Sequence, residues 1–371
     1  MKTTRIEEMM NQAIDEGVFP GGILLASVEG NLIFHKGFGV TKIHSGVPVT
    51  DNIVFDLASL TKPLATTLAV MKLMARGLLQ LTDSLGDVLP DFKNTDKAWI
   101  AISQLLNHTS GLPAYQPYFE KLICFPEKVR KEKLHALLAD EPLIHPPGGS
   151  VQYSDIGFMI LSWIVETISG MRLDLFLEQE IYGPLEIVPL FFPGMKYEKN
   201  VPDGRSHYVY AATENCPWRK RLLEGVVHDD NAYASGGIAG HAGLFGTARA
   251  VFDLLRFLLS VYKGNSGRGI VDKHVLRIFF APQPGTGRAL GFDLPSKIGS
   301  SSGRYFSDTS VGHLGFTGTS FWMDLDREII VVLLTNRVHP SRSNEKIKIF
   351  RPKIHDVVLE TIISSKKNFK D

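Results

Sequence analysis

Ser59 and Lys62 are the residues whose types and spacing most directly suggest chemistry in this sequence. They stand three positions apart, and an apolar, helix-compatible run follows at residues 63–74. Positions three apart share one face of a helix, so the lysine amine is predicted to lie beside the serine hydroxyl. A serine hydroxyl needs a neighbouring base to act as a nucleophile, and a lysine can be that neighbour if burial or another cation lowers its pKa. A helix N-terminus at Ser59 would also favour developing negative charge.

Two further segments carry groups that could complete such a site. Tyr153 precedes Ser154 and Asp155 at a predicted loop-to-helix junction, where a phenol can face a cleft. A tyrosinate there could take the serine proton if cations lower its pKa. Residues 313–319 form a predicted strand edge with small residues, which let a backbone approach a ligand closely. A backbone N–H of this strand, together with that of Ser59, would form an oxyanion hole.

Each of these three elements also has a purely structural interpretation. Ser59 can cap a helix that presents Lys62 to solvent. Tyr153 can be a half-buried tyrosine next to a helix cap, and His313 can be a structural histidine in a glycine-containing strand bend. The three elements therefore point to a catalytic site only in combination.

In combination they occur in the order in which penicillin-recognising serine enzymes carry them. The chain resembles the superfamily of class C β-lactamases, penicillin-binding proteins and family VIII-type esterases. The resemblance extends to residues 107–113, 147–157 and 243–248. It implies an α+β, β-lactamase/transpeptidase-like fold, in which an antiparallel sheet flanked by helices carries an inserted all-helical domain.

The resemblance also implies the roles of the central residues. Ser59 would be the acylated nucleophile, and Lys62 and Tyr153 would share the proton transfer. The backbone N–H groups of Ser59 and Phe316 would form the oxyanion hole. The resemblance implies no cofactor.

Three other residues would bind substrate by the same resemblance, namely Asp155, His313 and Gly315. Asp155 stands where β-lactamases usually carry asparagine, and His313 replaces a lysine. An imidazole with its ordinary pKa near 6.5 is mostly uncharged at neutral pH, so it offers no fixed cation to a β-lactam carboxylate. We therefore expect weak or absent β-lactam hydrolysis beside clear activity on short acyl esters, and any β-lactam reaction should strengthen as the pH falls from about 8 to about 6.

A narrower likeness concerns residues 227–232, 240–245 and 312–320. They resemble a bacterial branch whose members are often found with β-N-acetylglucosaminidases, some of them regarded as amidases of muramyl-peptide fragments. The residues that this branch would place along the cleft are His228, Asp230, Asn231 and His241, and we expect Asn231 and His241 to bind substrate there. The alternative is that these residues only hold the loops above the cleft through hydrogen bonds.

A metal site is the remaining possibility in this region, formed by His228, Asp229 and His241. No pair of these residues has the i, i+4 spacing of helical zinc ligands, so we predict no metal.

The bulk composition is that of an ordinary globular protein. The chain has 371 residues, a formal net charge of +1 and two cysteines that lie far apart. This charge indicates no nucleic-acid partner, and no apolar run is long enough to span a bilayer. The polar N-terminal residues differ from a signal peptide, and the sparse cysteines suit a reducing compartment, so we expect a cytoplasmic protein. The oligomeric state stays open.

The predicted elements divide the chain into two regions. Residues 1–80 and 245–371 supply strands and packing helices, and residues 81–244 read as a helical insertion, with the site in the cleft between them. The elements predicted near the site are a continuous helix over 64–75, strands over 305–312, 320–324 and 329–334, and a helix over 351–364 with Pro352 in its first turn.

These observations predict a serine hydrolase that forms a Ser59 acyl-enzyme with an ester or an amide, and the narrower likeness implies a muramyl-peptide fragment of peptidoglycan as the substrate. One alternative is a true β-lactamase or a DD-peptidase. Another is a non-catalytic, penicillin-binding-like sensor, against which the joint presence of serine, lysine and tyrosine argues.

Overall fold

An antiparallel sheet lies at the centre of the computed structural model, which describes residues 3–44, 47–194 and 208–367. The strands are β1 (Gly21–Val28), β2 (Asn31–Gly39), β3 (Phe55–Asp56), β4 (Leu190–Phe191), β5 (Asn215–Cys216), β6 (Arg221–Leu222), β7 (Phe245–Gly246), β8 (Val311–Leu314), β9 (Ser320–Asp324) and β10 (Ile329–Thr335). Five of them form the main sheet in the spatial order β2-β1-β10-β9-β8. The first and last parts of the chain thus build one sheet, with β8 at its edge.

Helices cover both faces of this sheet and fill the middle of the chain. The α-helices are α1 (Thr4–Asp15), α2 (Leu68–Ala75), α3 (Leu85–Val88), α4 (Ile102–Leu106), α5 (Tyr118–Leu122), α6 (Glu127–Asp140), α7 (Asp155–Ser169), α8 (Leu173–Leu177), α9 (Asp230–Ala234), α10 (Ala248–Lys263), α11 (Lys273–Phe280) and α12 (Ile347–Lys367). Tighter or wider turns occur at Ala58–Leu60 and Pro90–Phe92 (3₁₀) and at Lys62–Thr67 and Glu178–Tyr182 (π).

The apolar pattern of the central strands explains why the sheet is covered on both sides. Every residue of β10 is buried, as is nearly all of β1. Leu24 packs in a cluster with residues of α1 and α12, whereas Leu25 packs in the cluster that contains α2 and α10. Alternate side chains of a strand point to opposite faces, so a strand buried on both faces has to be continuously apolar.

The antiparallel sheet flanked by helices confirms the predicted fold class. The middle of the chain is mainly helical, and β4, β5 and β6 add short strands to it. The division into two domains stays a prediction.

Two local predictions were wrong. The helix predicted over 64–75 is present, and its first part belongs to a π-helical stretch, Lys62–Thr67, that runs directly into α2. The strand expected over 305–312 begins only at Val311, because Ser307 turns the chain by donating its N–H and hydroxyl to the buried Asp324 carboxylate, at 3.1 and 2.9 Å. Helix α12 begins at Ile347, so Pro352 lies inside the helix rather than in its first turn.

No single helix within the described ranges combines the length and the apolarity of a membrane span. One strongly bent pair, Asp155–Ser169 with Leu173–Tyr182, meets both criteria jointly.

Candidate active site

Ser59 lies in a strained turn that directly follows β3. The turn Ala58–Leu60 is 3₁₀, and Ala58 has a φ of 47°, in the left-handed region that a residue with a Cβ seldom adopts. Asp56 holds this turn, because its Oδ1 accepts the Ala58 N–H at 2.9 Å. Strain of this kind persists where the surrounding structure fixes the backbone, as it often does at active sites.

Asp56 is a residue that the sequence analysis missed. It is buried, and its second carboxylate oxygen accepts the His228 N–H at 2.7 Å. Burial raises the pKa of Asp56, while the backbone N–H groups of His228 and Ala58 favour its charged form. The carboxylate thus joins the nucleophile turn to the loop at His228, a contact that no local sequence pattern indicates.

Lys62 lies beside Ser59, as the spacing predicts. Its Nζ donates to Ser59 Oγ at 3.1 Å, to Asp155 Oδ1 at 2.6 Å and to the His241 carbonyl oxygen at 3.3 Å. The side chain is fully buried, whereas Asp155 keeps about a fifth of its side chain exposed.

The charge state of Lys62 differs from the one that would make it a free base. Burial alone would lower the pKa of Lys62, but the Asp155 carboxylate raises it above its ordinary value, with a smaller contribution from Tyr153. Lys62 is therefore an ammonium ion at neutral pH. The Asp155 carboxylate balances this positive charge, because the two groups form a buried ion pair.

Tyr153 lies within the same cluster. Its ring centroid is 4.8 Å from Lys62 Nζ and 4.6 Å from the ring centroid of His108. Burial raises the pKa of Tyr153, although Lys62 and a hydrogen bond with Ser59 favour the ionised form. The resting side chain is thus a neutral phenol that contacts both Ser59 and Lys62.

His313 lies on the edge strand β8 and is buried. Its Nδ1 is 2.9 Å from the Leu314 carbonyl oxygen, which requires a proton on Nδ1. Burial lowers the pKa of His313 to about 4, even though Asp293 acts in the opposite direction. The imidazole is therefore neutral throughout pH 6–8. This lowered pKa argues against the expectation that the imidazole gains charge as the pH falls from 8 to 6, because that expectation used the unperturbed pKa near 6.5.

The segment that follows β8 packs directly against the nucleophile turn. Thr317 Oγ1 donates to the Asp56 carbonyl oxygen at 2.7 Å, and Thr319 Oγ1 donates to the Leu57 carbonyl oxygen at 3.1 Å. A Cβ added to Gly315 would lie 2.7 Å from the Leu57 oxygen, so this close approach requires glycine.

The two N–H groups expected in the oxyanion hole lie on these facing segments. In the described part of the chain, neither the Ser59 N–H nor the Phe316 N–H donates a hydrogen bond to another protein group. Two backbone donors without protein acceptors, on segments that contact each other, are what an oxyanion hole needs.

Arg288 adds a permanent cation that the sequence analysis did not single out. Its Cζ lies 5.3 Å from the Tyr153 ring centroid, and its Nη1 donates to Asp293 Oδ1. Its charge also contributes to the lowered pKa of His313. Arg288 belongs to an irregular loop with no recognisable motif, so only the folded chain shows its place in the cleft.

Asn231 and Asp230, which the narrower likeness places along the cleft, make structural contacts instead. Asn231 is fully buried; its Oδ1 accepts the Phe119 N–H and its Nδ2 donates to the Gln116 carbonyl oxygen, both at 2.8 Å. Asp230 pairs with Arg219 at 2.7 Å. These contacts favour the loop-holding alternative for both residues over the prediction that their side chains line the cleft.

The two histidines of these loops lie nearer the reaction centre. His241 pairs with Asp229 through Nε2 and Oδ1 at 2.9 Å, and its carbonyl oxygen contacts Lys62. The His228 ring packs against the Phe316 ring, with centroids 5.6 Å apart. Its Nε2 is 3.3 Å from Glu214, so the two histidines have different carboxylate partners. Within the described residues, no group of three His, Cys, Asp or Glu side chains has the arrangement of a metal site.

Comparison with known proteins agrees with this geometry. The sequence profile of the family described as "Beta-lactamase" matches residues 6–353. An N-acetylmuramyl-L-alanine amidase of Bacillus subtilis (strain 168) is 32% identical over 377 residues, which cover 91% of this chain and 81% of that protein. A protein of Salmonella agona (strain SL483), provisionally named a D-alanyl-D-alanine carboxypeptidase, is 29% identical over 93% of this chain and 85% of its own length.

The fold agrees with that of a solved hydrolase. EstCE1, described as a hydrolase with promiscuous acyltransferase activity, superposes with a TM-score of 0.74 at 22% identity, over 96% of this chain and 98% of its own. This likeness confirms the predicted β-lactamase/transpeptidase-like fold. With the Ser59–Lys62 pair in place and a family profile that matches nearly the whole chain, the protein belongs to the β-lactamase family of serine hydrolases.

Proposed function

We propose that this protein hydrolyses an amide or an ester through a Ser59 acyl-enzyme, and that its substrate class is muramyl-peptide fragments of peptidoglycan. One observation carries the proposal: Lys62 Nζ is fully buried, 3.1 Å from Ser59 Oγ and 2.6 Å from Asp155 Oδ1. A buried serine–lysine contact of this kind suits a nucleophile whose proton has to leave during attack.

The proposed reaction begins when Ser59 Oγ attacks the substrate carbonyl. The bond from Oγ to the carbonyl carbon forms, and the N–H groups of Ser59 and Phe316 stabilise the negative oxygen. The serine proton ends on the Lys62 amine, which becomes available when the proton of its ammonium form passes to Asp155. The transfer is either direct, or it runs through Tyr153, whose oxygen accepts the serine proton while its own phenolic proton passes to the Lys62 amine.

Collapse of the tetrahedral intermediate then breaks the bond to the leaving group. That group takes the proton from the Tyr153 and Lys62 cluster and departs as an amine or an alcohol. Water attacks the acyl-enzyme in the same way, and the freed acid and Ser59 are restored.

The substrate class rests on the relatives and on the charges of the cleft. The Bacillus subtilis relative is named for a muramyl amide and the Salmonella agona relative for a D-alanyl amide, so both names describe amides of the cell wall. The Asp155 carboxylate is paired with Lys62 at 2.6 Å, and His313 is neutral between pH 6 and 8. A β-lactam carboxylate thus meets less positive charge than a lysine at position 313 would provide, which disfavours the β-lactamase alternative.

The first experiment tests the nucleophile. A fluorophosphonate should add its mass to the peptide that contains Ser59, and Ser59→Ala should lose both labelling and turnover of a nitrophenyl ester. Ser169→Ala, at the distal end of α7, is the matched control and should behave as the wild type. Labelling of another serine in Ser59→Ala would refute the proposed nucleophile.

The second experiment tests the substrate. An N-acetylmuramyl peptide is incubated with the protein, and the products are identified by mass spectrometry. Cleavage between muramic acid and L-alanine supports the proposal, whereas release of D-alanine would favour the carboxypeptidase alternative. Faster turnover of a chromogenic cephalosporin than of either amide or ester would favour a β-lactamase. A correctly folded protein that never acylates would favour the non-catalytic sensor.

A further inference from the structure

Arg337 lies behind the segment that carries the Phe316 N–H. We propose that Arg337 is a positioning residue, which fixes the backbone at Phe316 so that its N–H points at the oxyanion. The inference rests on the proposed function, since it presupposes that this N–H serves the reaction. Nothing in the sequence analysis drew attention to Arg337, which follows β10 by two positions.

Two contacts tie Arg337 to successive peptide groups. Its Nε donates to the Phe316 carbonyl oxygen at 2.7 Å, and its backbone N–H donates to the Thr317 carbonyl oxygen at 3.1 Å. Its guanidinium also lies over the Phe316 ring, with Cζ 4.5 Å from the ring centroid. Arg337 therefore contacts the carbonyl groups of Phe316 and Thr317 as well as the Phe316 ring, and all three follow the proposed donor, the Phe316 N–H.

The guanidinium is itself anchored on its far side. Nη1 donates to the carbonyl oxygens of Asn344 at 2.5 Å and Arg342 at 3.1 Å. Charge-assisted hydrogen bonds of this kind are stronger than neutral ones, and the planar fork of arginine fixes several directions at once. The Phe316 carbonyl is thus connected to a second loop through a rigid group.

The local backbone is shaped to admit the arginine stem. Gly318 has a φ of 101°, and a Cβ added to it would lie 2.5 Å from Arg337 Cγ. The Gly318 N–H returns to the Gly315 carbonyl oxygen at 3.1 Å. The tight turn at 315–318 and the Arg337 side chain therefore fit together as one unit, and the oxyanion donor lies within this turn.

The charge of Arg337 is buried without a carboxylate against it. The residue is 4% exposed, and within the described ranges no acidic side chain lies at ion-pair distance from it. Burying a cation without an ion-pair partner costs desolvation free energy. A neutral side chain could make a merely structural contact without that cost. In this position the positive charge also favours negative charge that develops near Phe316.

The contacts distinguish Arg337 from the residues that touch substrate. It acts through the peptide of Phe316, so its removal should weaken transition-state binding more than substrate binding. Removal of an oxyanion donor itself lowers kcat by roughly a hundredfold to a thousandfold. We expect Arg337→Met to lower kcat by about tenfold to a hundredfold, below that range because the N–H remains present.

The test uses two variants of the full chain and an oxyanion-specific readout. Arg337→Met removes both the guanidinium hydrogen-bond donors and the positive charge. Arg337→Lys keeps the charge and supplies one donor group, the ammonium, in place of the guanidinium. Each is assayed on a nitrophenyl ester and on its thionoester, whose sulfur is a poor hydrogen-bond acceptor. The wild type should prefer the oxygen ester strongly. Arg337→Met should lose much of this preference with little change in KM, and Arg337→Lys should recover part of it.

The control and the refuting outcomes separate this inference from the proposed function. Arg327→Met changes a half-exposed arginine in the turn at the opposite end of β9 and β10, and it should keep the wild-type preference. Wild-type kcat and preference in a folded Arg337→Met would overturn the inference, as would failure of both Arg337 variants to fold. Loss of the proposed function would instead show as a wild-type protein that does not label at Ser59.

Discussion

Asp155→Asn is the perturbation that tests the Lys62–Asp155 pair most directly. The substitution keeps the shape of the side chain and an oxygen near Lys62, but it removes the negative charge 2.6 Å from Nζ. Breaking a buried ion pair by removing one partner typically costs about 3–5 kcal/mol. Because Asp155 keeps about a fifth of its side chain exposed, we expect the lower end, about 3 kcal/mol of unfolding free energy at pH 7.

The pH dependence of this loss follows from the pKa of Lys62. In the wild type the folded pKa lies above the ordinary value of 10.5, so the contribution of the pair is fully present below 10.5 and constant between pH 6.5 and 9.5. In the variant, burial is no longer opposed and lowers the folded pKa. Above that lowered pKa, the variant lysine gives up its proton, and the deficit shrinks by about 1.4 kcal/mol per pH unit.

The expected deficit is therefore about 3 kcal/mol at pH 7 and clearly smaller at pH 9.5. Urea unfolding of both proteins across this range measures it, provided that the denaturant slope m is the same for both. Asp253→Asn is the matched control, because Asp253 pairs with the half-exposed Arg249 on α10 and arginine keeps its proton. Its deficit should stay below about 1 kcal/mol and should not change with pH. A deficit for Asp155→Asn that is flat or grows with pH would refute the reasoning.

Three further predictions concern catalysis. Tyr153→Phe should lower kcat by roughly a hundredfold to ten-thousandfold with the fold intact, and near-normal turnover would show that Lys62 and Asp155 move the proton alone. Slow β-lactam turnover should change little between pH 8 and pH 6 if His313 alone sets it, because the pKa of His313 is about 4; a steep rise towards pH 6 would contradict the burial of this imidazole. Arg288→Met should raise KM for a substrate with a carboxylate near the scissile bond and leave KM for a neutral ester unchanged, as steady-state kinetics on a matched pair of esters would show; equal effects on both would assign Arg288 to the support of Tyr153.

The sequence was most informative where function depends on local spacing. Ser59 and Lys62 meet because they stand three positions apart on a helical turn, and this contact is confirmed at 3.1 Å. The capping of α7 by Ser154 follows equally from local pattern, since Ser154 Oγ accepts the Gly157 N–H at 3.2 Å. The roles of Tyr153, Phe316 and Gly315 in catalysis stay predictions, although the fold brings all three to the nucleophile turn.

The sequence was least informative where tertiary contacts decide the chemistry. The pKa of His313 depends on burial under neighbouring segments, which no motif reveals. Asp56 and Arg337 act on residues far away in the chain, so no periodicity indicates their contacts. The π-helical stretch at Lys62–Thr67 likewise has no signal in the sequence, because local propensity would favour an ordinary α-helix.

The pairing of β1 with β10 has a consequence for how the enzyme is made in the cell. Gly22 lies opposite Thr335, so β1 leaves the ribosome about 313 residues before the strand it pairs with. At about 5–20 residues per second, this interval lasts roughly 15 to 60 s. During that time the apolar edge of β1 has only β2 beside it, which makes the nascent chain a client for chaperones. The segment that faces Ser59 is also synthesised long after it, since Thr319 contacts Leu57 from 262 positions further along the chain, so the site cannot assemble before this segment has left the ribosome.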